Sequence, residues 1–266
     1  MKIGFIGTGN MGGALARAAA KGGHTLLLAN RTPAKAEALA KELCGTVCPN
    51  AEAAEKAELL FLGVKPQGLP GLARELAPVL QARKGNAPVV ISMATAVTLR
   101  ELDAMLGGGL PLIRIMPNTP AAVGAGTILY AAQNVTDAQL DAFRAVLAQA
   151  GLLLPLPEEK IDAASAISGC GPAFCFQFAD ALALGGVRAG LSYPDACRLA
   201  AQTMLGAAEM LLQGGEAPDV LKMRVCSPAG TTIEGVLALE QGGFSYTVQN
   251  AVTAAYRRTV EMTKKG

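Results

Sequence analysis

The first part of the chain carries short apolar runs bounded by turn residues. Lys2–Ile6 begins by alternating polar and apolar positions and ends wholly apolar, as a buried strand does. Thr25–Ala29 (TLLLA), Glu58–Val64 (ELLFLGV), Pro88–Met93 (PVVISM), Pro111–Met116 (PLIRIM), Thr127–Ala131 and Leu152–Leu156 read as further strands. Helices are predicted over Gly13–Ala20, Pro33–Leu43, Ala51–Lys56 and Asp137–Ala150, with Pro33 in a first-turn position. Alternating strands and helices make this region an α/β doubly wound domain, placed at residues 1–157.

After Pro155 and Pro157 the strand pattern stops. Helices are predicted at Glu158–Gly185, Pro194–Gln213, Pro218–Val225, Gly230–Gln241 and Ser245–Lys264. Pro194 and Pro218 stand at helix starts, and Gly185-Gly186 and Gly214-Gly215 at expected helix stops. Ser168-Gly169-Cys170-Gly171-Pro172 interrupts the first helix, through either a kink or a close approach of ligand or backbone. These helices are rich in Ala, Leu and Met on more than one face and poor in charge. Residues 158–266 therefore read as an all-α domain that buries a face against a second copy of the chain.

The chemistry starts at the end of the first strand. Gly7-Thr8-Gly9-Asn10-Met11-Gly12 is a G-x-G-x-x-G turn between a strand and a helix, the context in which such a loop binds a dinucleotide. The first glycine permits the turn, the second admits a pyrophosphate, and the third lets helix and strand pack closely. The fold class is thus a Rossmann-type α/β N-terminal domain followed by an all-α C-terminal dimerisation domain. At the end of the second strand, Asn30-Arg31-Thr32 stands where an Asp or Glu would select NAD. A guanidinium with small polar neighbours suits a 2′-phosphate, so NADP (NADPH) is favoured and NAD is second, unless Arg31 is a solvated loop residue only. Val64, Lys65 and Pro66 follow another strand and are candidates to line the ribose or nicotinamide. Asn50 is either a contact to the cofactor or a plain helix cap. Pro117-Asn118-Thr119-Pro120 is a stiff turn at another sheet mouth.

Bulk properties narrow the class. Hydrophobic residues make up 51% and charged residues 17% of the 266, enough for a sizeable core. A net charge of +2 gives no electrostatic case for nucleic acid or a membrane surface. The N-terminus lacks the pattern of a signal peptide, and the uncharged run Ala163–Ala179 reads as too short and polar to span a bilayer. A cytoplasmic enzyme is expected. Six cysteines without a C-x-x-C pair read as buried thiols, and one histidine with these spacings builds no metal site.

A nicotinamide cofactor implies hydride transfer, and the remaining chemistry has to come from the protein or the substrate. His24 is the one histidine and precedes a strand, away from the cofactor end. No lysine occurs between Lys160 and Lys222. A substrate needing little proton help, such as a protonated C=N bond, is favoured. Ser227-Pro228-Ala229-Gly230-Thr231-Thr232 opens a helix with hydroxyls and backbone N–H groups. It reads equally as a carboxylate site and as a helix cap made by Ser227 or Thr231.

Taken together, FIGTGNMGGAL, FLGVKPQ, IRIMPNTPA, SGCGPAF and VCSPAGTTIEGVLALE, in this order, resemble the pyrroline-5-carboxylate reductases over the whole chain. The resemblance implies NAD(P)H-dependent reduction of Δ1-pyrroline-5-carboxylate to L-proline, the last step of proline synthesis. It implies a homodimer through the C-terminal helices, with dimers gathered into rings. By position, Thr232 would hydrogen-bond the ring nitrogen of the small-molecule substrate. Gly230 and Thr231 would offer N–H groups to its carboxylate, with Ser227 helping. Gly7, Thr8, Gly9, Asn10 and Met11 would hold the pyrophosphate, and Asn30, Arg31 and Thr32 the 2′-phosphate. Asn50, Val64, Lys65 and Pro66 would take the ribose, and Ala94 and Asn118 the nicotinamide end. Thr95 and Ala96 stand where the family usually has a small residue and then glycine, and Cys170 where serine is usual. A β-hydroxyacid dehydrogenase shares the opening motif but would place a lysine on the first helix of the second domain. An NADPH-sensing regulator would need no SPAGTT turn.

Overall fold

A computed structural model describes residues 1–263. The elements in chain order are β1 (Lys2–Ile6), α1 (Asn10–Ala20), β2 (Thr25–Ala29), α2 (Pro33–Leu43), β3 (Thr46–Val47), α3 (Asn50–Lys56), β4 (Leu59–Leu62) and α4 (Leu69–Ala82). Then come β5 (Val89–Ser92), α5 (Leu99–Met105), β6 (Leu112–Pro117), β7 (Gly126–Gln133), α6 (Asp137–Leu147), β8 (Gly151–Pro155) and α7 (Glu158–Ser168). Five more helices complete the described chain: α8 (Gly171–Arg188), α9 (Tyr193–Gly214), α10 (Pro218–Val225), α11 (Thr231–Gln241) and α12 (Phe244–Thr263).

The strands form one sheet in the order β3-β2-β1-β4-β5-β6-β7-β8. All neighbours are parallel except β6 and β7. The central strands are unbroken apolar runs because helices cover both faces. Leu60, Leu62, Val90 and Leu112 meet α3, α4, α5 and α7 on one face. Phe5, Phe61, Ile91 and Ile113 meet α1, α2 and α6 on the other, with Phe5 and Phe61 stacked at 4.6 Å. The chain winds from β1 outward to β3 and returns beside β1 as β4. The crevice between the carboxyl ends of β1 and β4 is therefore the ligand position of such a sheet.

The predicted strands are present, with ends shifted by one or two residues in places, and β3, α4 and α5 are additional. Helix α1 begins at Asn10 rather than Gly13, because the glycine turn itself enters the helix. Gly185 and Gly186 do not stop a helix. Helix α8 runs through both, since a Cβ at Gly186 would lie 3.1 Å from the Ala196 Cβ on α9 and glycine serves the packing there. Gly215, with φ +63°, does terminate α9. The break at Gly169-Cys170 separates α7 from α8. The predicted end of the last helix at Lys264 lies outside the described residues. The cysteines are free but not generally buried: Cys48 is buried, while Cys44 and Cys175 are exposed.

By packing, the chain divides into two units, one comprising Met1–Cys170 with the chain from Tyr256 onward, the other Gly171–Ala255. Residue 157 is therefore not where the packing divides. Helix α7 belongs with the sheet, through Ile161 in the core and the pairing of Glu158 and Asp162 with Arg114 of β6. Taken as one run, Glu158–Arg188 has the length and composition of a membrane-crossing helix, which the shorter stretch 163–179 did not suggest. Within the second unit only small side chains, Ala183, Ala196 and Ala200, are fully buried. Phe176, Leu184, Leu199, Leu205 and Met210 are exposed there.

Candidate active site

The glycine turn sits at the carboxyl end of β1, over the crevice. Gly7 has φ +99°, and a Cβ there would lie 2.6 Å from the Gly63 carbonyl oxygen at the end of β4. A Cβ on Gly12 would collide with the Gly7 carbonyl oxygen. By contrast, a Cβ on Gly9 would meet nothing within 4 Å. The first and third glycines are thus required by packing, and the second faces open space. No side chain caps α1, and its first turn holds no acidic residue. Among the described residues, the N–H groups of Gly9, Asn10, Met11 and Gly12 find no acceptor. The Thr8 hydroxyl is buried without a partner. Uncompensated donors at the positive end of a helix dipole fit a pyrophosphate.

Asn30 lies beside this turn at the end of β2. Its Oδ1 accepts from the Thr8 N–H at 3.1 Å and its Nδ2 donates to the Thr32 carbonyl at 3.0 Å. Arg31 and Thr32 are exposed, and Thr32 is the N-cap of α2 without a side-chain cap bond. A guanidinium without an internal partner at an open helix start suits a phosphate.

The other sheet-mouth candidates divide by what they still offer. Asn50 is not a helix cap: Pro49 holds that position, because an extended proline followed by Asn50 in the first turn starts α3. The Asn50 Nδ2 donates to Glu75 Oε2 at 3.1 Å. Val64 and Pro66 are half-buried and Lys65 is exposed, leading into a tight turn of helix at Pro66–Gly68. Ala94 is buried with its N–H on the Ser92 hydroxyl at 3.3 Å. The following Ala96 adopts φ +63°, the conformation that explains glycine as the residue expected there. The Asn118 side chain is engaged at both ends, donating to the Ser168 carbonyl and accepting from the Thr127 N–H, each at 2.8 Å. It ties β6 to β7 and α7.

Sequence reasoning missed Arg114 within the strand IRIM. Its side chain is 3% exposed, with Nη2 at 2.5 Å from Asp162 Oδ1 and Nη1 at 3.4 Å from Glu158 Oε1. The same Glu158 oxygen accepts from the Leu99 N–H at 2.7 Å. One signal was available, a pair of acids one helical turn apart on α7.

The substrate candidates gather in the turn between α10 and α11. Ala229 has φ +55° and the Gly230 N–H donates to the Ser227 carbonyl at 3.0 Å. The Ser227 hydroxyl covers the place where a Cβ of residue 230 would stand. Gly230 is the N-cap of α11, and no side chain caps it, so neither Ser227 nor Thr231 plays that part. The Thr231 and Thr232 N–H groups have no acceptor among the described residues, whereas the Gly230 N–H is already engaged within the turn.

A family model described as pyrroline-5-carboxylate reductase dimerisation matches residues 158–262. Another, described as NADP oxidoreductase, coenzyme F420-dependent, matches residues 2–96. The chain is 40% identical over 274 residues to a pyrroline-5-carboxylate reductase of Synechocystis, covering 100% of this chain and 99% of that one. It is 36% identical over 271 residues to the enzyme of that name from Pseudomonas aeruginosa, covering 99% and 97%. A solved pyrroline-5-carboxylate reductase structure from Coxiella burnetii superposes with a TM-score of 0.90 at 31% identity, covering 97% of each chain. One from Plasmodium falciparum, with NADP bound, superposes at 0.84 with 30% identity over 99% of each. With similarity running the full length at these identities, the chain belongs to the pyrroline-5-carboxylate reductase family.

Proposed function

We propose that the chain reduces Δ1-pyrroline-5-carboxylate to L-proline with NADPH, accepting NADH less readily. The observation that carries this reading is the uncapped start of α11, where Ser227, Thr231 and Thr232 surround free N–H groups. Donors at a helix start suit the substrate carboxylate, through the Thr231 N–H and the Ser227 hydroxyl. Gly230 serves mainly to leave room for that hydroxyl. Thr232 then offers its hydroxyl to the ring nitrogen. When bound, the reduced nicotinamide supplies the hydride that the C=N carbon gains, while the nitrogen carries or receives one proton. The protein contributes orientation, which is worth about 7–11 kcal/mol in well-aligned reactions. A protonated imine needs no histidine or lysine, consistent with the absence of lysine from 161 to 221.

On the cofactor side we assign the pyrophosphate to Gly7–Met11, and the 2′-phosphate to Arg31 and Thr32 with Asn30 beside them. Asn50 and Val64–Pro66 take the ribose, and Ala94 and Asn118 the nicotinamide end. Because the Asn118 side chain and the Ala94 N–H are engaged, those two act through other backbone groups and by shape. By function, residues 1–157 are assigned to the dinucleotide and 158–266 to substrate and dimerisation, although α7 packs with the sheet.

The second unit buries little of its own apolar surface. Phe174, Phe178, Leu182, Met204, Leu239 and Phe244 line an apolar groove of about 570 Å³. A second copy covering this surface accounts for it, giving a homodimer through the C-terminal helices and, by further association, a ring of dimers. The same cover accounts for the apolar run Glu158–Arg188 without lipid. Six free cysteines accord with a cytoplasmic enzyme.

The test is NADPH consumption with pyrroline-5-carboxylate. Thr232→Ala is expected to lower kcat by about ten- to a hundredfold, the loss of one bond strengthened in the transition state. The Kd for NADPH should stay at the wild-type value. An unchanged kcat would remove Thr232 from the mechanism, and no turnover of the imine by the wild type would refute the activity.

A further inference from the structure

Asn30 stands where such folds read the adenosine ribose, yet its side chain is already committed. Thr8 presents a donor and Thr32 an acceptor, so the amide fits only one way round, with Oδ1 toward Thr8 and Nδ2 toward Thr32. The first bond fixes the Thr8 amide, one residue before the donors of Gly9–Gly12 begin. The second fixes the N-cap carbonyl of α2, the same oxygen that accepts from the Lys35 N–H at 3.1 Å. Arg31 lies between these two anchors with its guanidinium exposed and unpaired among the described residues. A phosphate could take at most the one remaining N–H of Asn30, against the fork of Arg31.

We infer that Asn30 is a positioning residue that clamps the glycine turn to the β2–α2 turn, and that its loss weakens NADH and NADPH binding together. This rests on the dinucleotide reading above. A direct 2′-phosphate ligand would instead affect NADPH alone, because NADH lacks that group.

Binding of each nucleotide to the full-length protein, read by nucleotide fluorescence, separates the two. Asn30→Ala leaves the Thr8 N–H without its acceptor and should raise the Kd for NADH about tenfold, with NADPH weakened at least as much. Asn30→Asp returns an acceptor to Thr8 but sets a carboxylate oxygen against the Thr32 carbonyl, so it keeps one end of the clamp and loses the other. Arg31→Ala should weaken NADPH while leaving NADH within about twofold. The inference is overturned if Asn30→Ala leaves NADH binding unchanged. Amide exchange at Thr8 in the unliganded wild type needs no variant: slow exchange supports the clamp, and exchange at the rate of a free loop overturns it. Wild-type protein that binds neither nucleotide refutes the dinucleotide reading and this role with it. Wild type that binds both, with NADH indifferent to Asn30→Ala, refutes this role alone.

Discussion

Removing Asp162 tests how the sheet holds α7. Arg114 lies in the layer that also contains Leu112, Met116 and Ile161, and its Nε has no partner. Asp162→Ala deletes the 2.5 Å bond and leaves a buried guanidinium with only the 3.4 Å contact to Glu158. Breaking a buried pair from one side costs about 3–5 kcal/mol. The two carboxylates retain 21% and 28% exposure, so water relieves part of the loss and the lower end, about 3 kcal/mol, applies here. For a chain of this size that lowers Tm by about 6–12 °C. Replacing Arg114 and Asp162 together, Arg114→Met with Asp162→Leu, strands no buried guanidinium and leaves Glu158 part-exposed on the Leu99 N–H, so most of the loss should be recovered. Thermal unfolding followed by circular dichroism, with amide exchange across α7, measures both. The reasoning is refuted if Asp162→Ala melts within about 2 °C of wild type, or if the double variant melts as low as the single one.

Gly9→Ala should leave Tm unchanged, because its backbone (φ −71°) suits alanine and no protein atom opposes the Cβ. It should weaken NADPH binding about tenfold or more, by filling the approach to the N–H groups. Gly12→Ala should instead destabilise the fold by about 1–3 kcal/mol through the clash with the Gly7 carbonyl, as a urea titration would show. Ala96→Gly removes a left-handed strain of about 1–2 kcal/mol and adds about 0.4–1 kcal/mol of unfolded-state entropy. A small net stabilisation is expected in the same titration, and a loss above about 1 kcal/mol would contradict it.

How much of this was legible in the sequence depended on how local each constraint is. Buried parallel strands are apolar on both faces, so β1, β2, β4, β5 and β6 announce themselves. Helix α4 does not, because Pro70, Gly71 and Pro78 break its pattern, although Pro70 sits in its first turn. Helix α5 carried a readable start, Thr98 and Glu101, whose capping box the structure contains. The two residues of β3 gave no pattern to read.

The glycine turn and the Ser227–Thr232 turn were each legible as turns because their requirements are stereochemical and lie within a few residues. What each side chain does there was not, since a cap and a ligand site use the same residue types. The structure shows that no side chain caps α11 at Gly230. Asn30 shows the same limit: its position in the motif suggests contact with the cofactor, but its two bonds reach Thr8, 22 residues away, and Thr32, two residues away. Arg114 lies further beyond reach, with partners 44 and 48 residues along the chain. A charge inside an apolar run is costly unless paired, so that run held an implicit prediction of a distant acid. The pairing that meets it also joins the N-terminus of α5 to α7 through Glu158, and so fixes the far end of the loop that begins at Ala94. The least legible contact in the chain therefore braces a segment assigned to the nicotinamide end.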